Sequence, residues 1–369
     1  MRNQMASNKN QHYVPRCYLK PFTYGGESAS INIYNIDRHK FIKGAPVKNQ
    51  CSGNYFYGKD DQLEAAIQSV EQGYGRVLQN ILSSSSIISS VYLDVLKMFW
   101  VFQYMRTEGA SIRCAQMFDE TFSTIPADSS FSLEIKEAVQ AAMRTFADCM
   151  HVVSDLKVCL MRNATKVPYV TSDDPAILTN RWQLEDKRTR GGALGLRQAG
   201  AILLLPLSPK IMCIAYDTNI YSIANIDGWL TIKKPDDVEI LNQFQLLNCR
   251  SNIFLADETY AHDLADFVGK YEHRRLATRH RVTYAVFEGE QVGAHKRYRV
   301  VPSSEFPMYE DGIMHAQTIS AIPSGWPSFL QRRHKGYAYY NGTGAGYVRS
   351  AHAAPVRGHR PFSKVSAYG

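Results

Sequence analysis

Between Val91 and Glu108 the chain reads VYLDVLKMFWVFQYMRTE, which puts apolar side chains on almost every side of a helix. A helix that is apolar all round is either a buried core element or a membrane span. This one is too short for a span and is interrupted by Asp94, Lys97 and Gln103. It is therefore expected to be the central helix of a globular domain. Gln103 and Arg106 are three residues apart and share one face of it. A guanidinium inside a core needs an acidic or anionic partner, so another segment or a ligand must meet that face.

Most of the positive charge lies elsewhere. Of the net +8, residues from Gln291 to the end supply ten Lys/Arg against three acids, 10 − 3 = +7. That segment suits contact with a polyanion. Its GYAYYNGTGAGYVR stretch has no clear period, and it reads as a basic appendage of low order. With 369 residues, one large domain plus an appendage is expected. The division is a polar leader over 1–10, a main domain over 11–290 and the appendage over 291–369. Seven scattered cysteines with no CxxC pair suit reduced thiols in a cytoplasmic protein. No apolar run is long enough for a membrane span, and the polar N-terminus has no secretory apolar region.

Along the chain, QHYVPRCYLKPF (11–22) sets His12 before a proline-stiffened turn. Ile31–Tyr34 and Phe41–Ile42 read as a β-hairpin. Apolar residues at helical spacing predict a helix over Gln62–Leu82, ended by the serine run 83–86, with Glu64 and Glu71 two turns apart beside the stripe. A third helix is predicted over Leu133–Leu156. The period then shortens: strands are expected at Val167–Thr171, Ala201–Leu205 and Ile211–Tyr216, with a basic, glycine-bearing loop over 186–200. A helix is expected over Asp237–Cys249, N-capped by Asp236. Another runs over Ala261–Arg281, ending in an exposed basic patch that includes Arg274 and Arg275, and Thr283–Phe287 reads as one more strand. The fold class is α+β, a helical N-terminal half packed on a small mixed or antiparallel sheet.

Taken together, these segments resemble domain-of-unknown-function family 4238. The resemblance rests on Gln11–Pro15 with Tyr18–Phe22, the helix bearing Glu64 and Glu71, and the Gln103–Arg106 helix end. It continues through the Thr171–Pro175 turn and the Pro206–Pro209 element, and covers about residues 10–285. It implies the extent of the domain and these positions; it implies no reaction.

His12, Glu71, Gln103, Arg106 and Asp173 are the candidate catalytic residues, with Ser208 and Asn242 as further polar positions. A histidine, carboxylates and an arginine make the inventory of a metal-assisted phosphodiester hydrolase. Glu71, Asp173 and Asp174 would hold Mg²⁺ or another divalent metal, His12 would move protons and Arg106 would steady a phosphate. With the basic segment, DNA or RNA is the expected partner and a nuclease the first reading. The second is a non-catalytic nucleic-acid-binding module, in which Arg332, Arg333 and Lys335 track phosphates while Tyr337, Tyr339, Tyr340 and Tyr347 stack on bases. The third is a nucleotide- or small-ligand-binding enzyme using Arg106 and Asp173. The remaining reading is a polar network that only braces the fold. The chain has no HExxH helix, GxSxG elbow or Walker lysine.

Overall fold

The structure, a computed structural model, describes residues 9–27, 29–83, 87–123, 133–189, 194–292, 295–308, 311–355 and 360–368. Most of the leader, the serine run after Ser83 and residues 190–193 of the basic loop lie outside them.

The apolar stretch is the helix expected of it. After helix α1 (Asp61–Ser83), helix α2 (Ser90–Arg106) buries Leu96, Phe99, Trp100, Val101 and Phe102. Gln103 and Arg106 are buried with them. On one side, Phe99 stacks on Tyr74 of α1. On another, the Trp100 indole donates to the Leu204 carbonyl at 3.0 Å, which seats the helix on a sheet. That sheet has five strands, ordered Trp229–Ile232, Lys157–Asn163, Ile211–Tyr216, Ile202–Ser208 and Ile177–Thr179. The first pair is parallel and the others antiparallel. Leu203, Leu205 and Leu207 face α2, while Ile202 and Leu204 face helix α5 (Pro235–Asn248) on the opposite side. A strand covered on both faces needs no polar alternation, which is why ILLLPLS is an unbroken apolar run.

The hairpin is present as Ser30–Asn35 paired with Lys40–Pro46, and it joins Asn252–Leu255 and Thr171–Ser172 in a four-stranded antiparallel sheet. The fold is α+β.

Several boundaries differ from expectation. A helix, α3 (Glu108–Phe122), follows α2 directly, because Thr107 breaks the helical backbone and its hydroxyl accepts from the Ala110 amide as an N-cap. Helix α4 (Ile135–Cys149) stops seven residues short of Leu156, and Val153 and Leu156 reach the core from turns. Of the strand expected at 167–171 only Thr171 pairs in a sheet, together with Ser172 beyond it; the Asn242 side chain brackets the stretch before them, binding the Pro168 carbonyl and the Val170 amide. Pro235 is the first residue of α5 and Lys234 holds its N-cap position, so Asp236 lies inside the first turn. Helix α6 (Ala261–Tyr271) ends ten residues early, and His280–Val292 is a long strand.

The largest correction concerns the appendage. Its described residues are not of low order. His295–Val301 and Gly312–Thr318 flank His280–Val292 in a three-stranded sheet, and Tyr337–Tyr340 pairs with Ser363–Ser366. These strands were not legible because their partners are distant and each buries little of either face. Part of the segment's charge is also paired, within it by Lys296–Asp311 and Arg299–Glu305 and outside it by Arg349–Asp155.

Arg349 is the fastener. It is buried and donates to both Asp155 oxygens and to the carbonyls of Val152, Leu196 and Gln198. Arg349→Met is expected to lower stability by about 2–3 kcal/mol, since those acceptors lose their donor while Asp155 keeps access to water. Urea unfolding measures the loss. Hydrogen exchange across 337–348 should accelerate with it; unchanged protection there would mean the segment is held by something else.

Candidate functional site

The N-terminal Gln11–Pro15 segment is held along its length. Asn10–His12 pairs with Ser52–Asn54, and the Gln11 side chain binds the Tyr57 amide and the Gly58 carbonyl. From α2, Gln103 donates to the Tyr13 carbonyl at 2.9 Å. Arg106, 0% exposed, uses all three guanidinium nitrogens. Nε donates to the Tyr57 hydroxyl at 2.7 Å, Nη1 to Glu71 Oε1 at 2.8 Å, and Nη2 to the His12 carbonyl. Its plane also lies over the Phe102 ring. The buried cation is thus neutralised by an acid from α1, as charge burial requires.

Above this layer opens a cleft of about 350 Å³, lined by His12, Arg16, Cys17, Tyr57, Glu64 and Glu71 among others. Arg106 and Gln103 lie beneath it and brace its walls. His12 Nε2 is buried and has no hydrogen-bond partner. Burial lowers the imidazole pKa from its usual value; the Val47 and Lys48 backbone opposes this, and Arg16 and Arg106 add to it. Burial thus favours the neutral form of the ring. Cys17 is not a thiolate at pH 7: burial, then Glu71, pushes its thiol up to about 12.

Asp173 and Asp174 belong to a different place. Asp173 accepts from the backbone amides of Arg250, Ser251 and Asn252 at 2.7–2.9 Å, tying the turn after α5 to the Thr171–Pro175 turn. Burial outweighs those three donors and lifts its carboxyl to about 6. Asp174, 0% exposed, accepts from Thr107 Oγ1 at 2.7 Å, Arg113 at 2.6 Å and Arg279 at 2.9 Å. Gly109 makes this fit possible, since a Cβ there would stand 3.0 Å from Asp174 Oδ2.

The expected convergence is therefore split. His12 and Glu71 share the cleft, Arg106 and Gln103 support it, and Asp173 lies with Asp174 outside its lining. Nor do Glu71, Asp173 and Asp174 assemble a metal site. Glu71 is engaged by Arg106, Asp173 by backbone amides and Asp174 by two guanidiniums. Among the described residues, no group of three or more His, Cys, Asp or Glu side chains could hold a metal ion. Ser208 caps its own hairpin turn, accepting from the Lys210 and Ile211 amides.

Of the basic positions, Arg274 and Arg275 are turned onto backbone carbonyls of Pro323, Cys249 and Arg250, so they form no free patch. Arg332 binds the Ala367 carbonyl and Arg333 that of Tyr221. Exposed Arg333 and Lys335, with Arg332, His334 and Tyr337, still line an open depression on the surface.

Sequence reasoning missed Tyr57, Arg16, Arg113 and Arg279. Thr107 followed by Glu108 was a readable helix-start signal that would have placed Arg113 on α3. The others carry no local signature.

The fold and the cleft define an α+β protein whose N-terminal segment is clamped onto two helices by one buried arginine, with a histidine in the wall of an open cleft. The family described as "Protein of unknown function (DUF4238)" matches residues 10–259, more than half of the chain, and the chain belongs to it. No curated protein and no solved structure matches it. Among the described residues, no helix is long and apolar enough to cross a membrane.

Proposed function

We propose that the His12 cleft hydrolyses a phosphodiester, with nucleic acid as the substrate class. The observation that carries this reading is the buried, unpartnered Nε2 of His12 on the wall of an open cleft beside Arg16. A neutral imidazole next to an exposed guanidinium is a base beside an anion-binding group. Water attacks phosphorus as His12 takes its proton, the bond to the leaving oxygen breaks, and the imidazolium returns the proton to that oxygen. Arg16 holds the phosphate; Arg106 keeps Glu71 and the His12 backbone in position. The net charge of +8 favours a polyanionic substrate. The seven free thiols suit a reducing compartment such as the cytoplasm.

The test uses end-labelled DNA and RNA oligonucleotides, with and without Mg²⁺. His12→Gln should slow cleavage by about 10²-fold or more, and Arg16→Ala should weaken substrate binding. The pH profile carries the sign of the His12 shift. The group is needed neutral and its pKa is lowered from the usual 6.5, so the rate should be highest at alkaline pH and fall on acidification with a midpoint below 6.5. Cleavage indifferent to both substitutions, or no cleavage of any substrate, would remove the proposal. A non-catalytic reading rests on the depression at Arg333 and Lys335. Salt-sensitive binding that survives His12→Gln and vanishes in an Arg333→Ala, Lys335→Ala double variant would favour that reading instead.

A further inference from the structure

A second pocket, of about 280 Å³, lies where the family-matched part of the chain meets its C-terminal segment. Asn180, Trp182, Arg188 and Gln198 line it from one side, Tyr340 and Tyr347 from the other, and His315 stands at its edge. The aromatic groups are held rigidly. Tyr340 and Tyr347 stack with centroids 4.6 Å apart and planes at 15°, and Trp182 meets Tyr347 edge-on at 5.3 Å. Trp182 is itself fully buried, with its indole N–H on Asp186. Both tyrosines are only half-buried, so an already stacked aromatic pair contributes to the pocket wall.

The polar lining narrows the ligand class. Arg188 is paired with Asp186 at 2.7 Å and also donates to the Ser366 carbonyl, so the one guanidinium among the described lining residues is already neutralised. Gln198 donates through Nε2 to the Ala345 carbonyl, which fixes the amide and leaves Oε1 as an acceptor. Gly346, at φ +69, turns the chain beside that oxygen, and a Cβ there would stand 3.4 Å from it. A neutral, flat ring with hydrogen-bonding groups on its edge fits such a lining; a charged head group does not.

We propose that this pocket binds a nucleobase, presented as a nucleoside or as an unstacked base of a single strand, with the Tyr340–Tyr347 pair as its stacking platform and Gln198 reading its edge. The wall that supplies the platform lies outside residues 10–259, so the site is built by the C-terminal segment closing on the family fold. Nothing in this depends on the hydrolytic role of His12.

Ligand-observed saturation-transfer NMR on the full chain tests it, with adenosine, guanosine, cytidine and uridine as probes and methyl glucoside as the non-planar control. At least one nucleoside should give transfer at submillimolar concentration, and methyl glucoside none. Tyr340→Leu, which keeps apolar bulk but removes the ring face, should weaken that binding roughly tenfold or more, while His12→Gln should leave it unchanged. If Tyr340→Leu does not fold, Gln198→Leu at the rim reads the same site and should alter the preference among the four bases. Absence of binding by every nucleoside, equal binding of methyl glucoside, or binding untouched by the foldable variant would overturn the proposal.

Discussion

Asp174→Asn is expected to lower the free energy of unfolding by about 3–5 kcal/mol, the range for breaking a buried ion pair from one side. The substitution preserves shape and removes charge. It leaves Arg113 and Arg279 facing a neutral amide, with side chains only 12% and 16% exposed. The amide NH₂ would also point a donor at groups that are themselves donors. Two parts of the fold lose their common charged anchor: the start of α3 through Thr107, and the segment entering the strand His280–Val292 through Arg279. The end of α5 keeps its tie, because Asn248 donates to the Asp174 backbone carbonyl. Urea unfolding followed by circular dichroism measures the loss. Adding Arg113→Met should recover part of it, because one orphaned cation is then gone. A loss under about 1 kcal/mol would mean that water reaches the guanidiniums, and that the network is a solvated surface feature.

Arg106→Met should be comparably damaging, again about 3–5 kcal/mol. It removes the donor to Glu71, Tyr57 and the His12 carbonyl together, and so leaves the N-terminal segment tied to α2 by Gln103 alone among these donors. Arg106→Lys keeps the charge but not the planar fork, and cannot satisfy three acceptors in three directions. Glu71→Gln should cost less than Arg106→Met, because Glu71 is 24% exposed and its neutral form still accepts a hydrogen bond. The same unfolding experiment ranks all three. An Arg106→Met protein as stable as the parent would show that the arginine is not the clamp its geometry implies. If the cleft hydrolyses phosphodiesters, the loss of His12 positioning should also appear as a fall in rate under conditions where the variant remains folded.

The two networks separate polar residues that the sequence analysis expects around one opening. Arg106 and Asp173 both lie in motifs of the family resemblance, and both are buried and fully bonded. They were expected around one opening because each adjoins an apolar segment. Each instead stabilises its own junction: Arg106 joins α1 to α2 and the N-terminus, and Asp173 joins the turn after α5 to the hairpin sheet. At His12, a residue lining the cleft, Nε2 is buried without a hydrogen-bond partner.

Local patterns in the chain determined what short-range physics can set. The all-apolar face of α2, the stripe on α1, the Ile31–Tyr34 hairpin and a strand beginning near Ala201 follow from periodicity and turn chemistry within a few residues. So did the need for an anion near Arg106. The partner's identity was a matter of tertiary structure: Glu71 is 35 residues from Arg106, Thr107 is 67 from Asp174, and Arg279 is 105 from it. The ordering of the C-terminal segment was equally invisible, because a strand such as Tyr337–Tyr340 is stabilised by a partner at Ser363–Ser366 and by Arg349 reaching back to Asp155. Hydrogen-bond capacity can be counted from composition, but which donor meets which acceptor is settled only when the whole chain has packed.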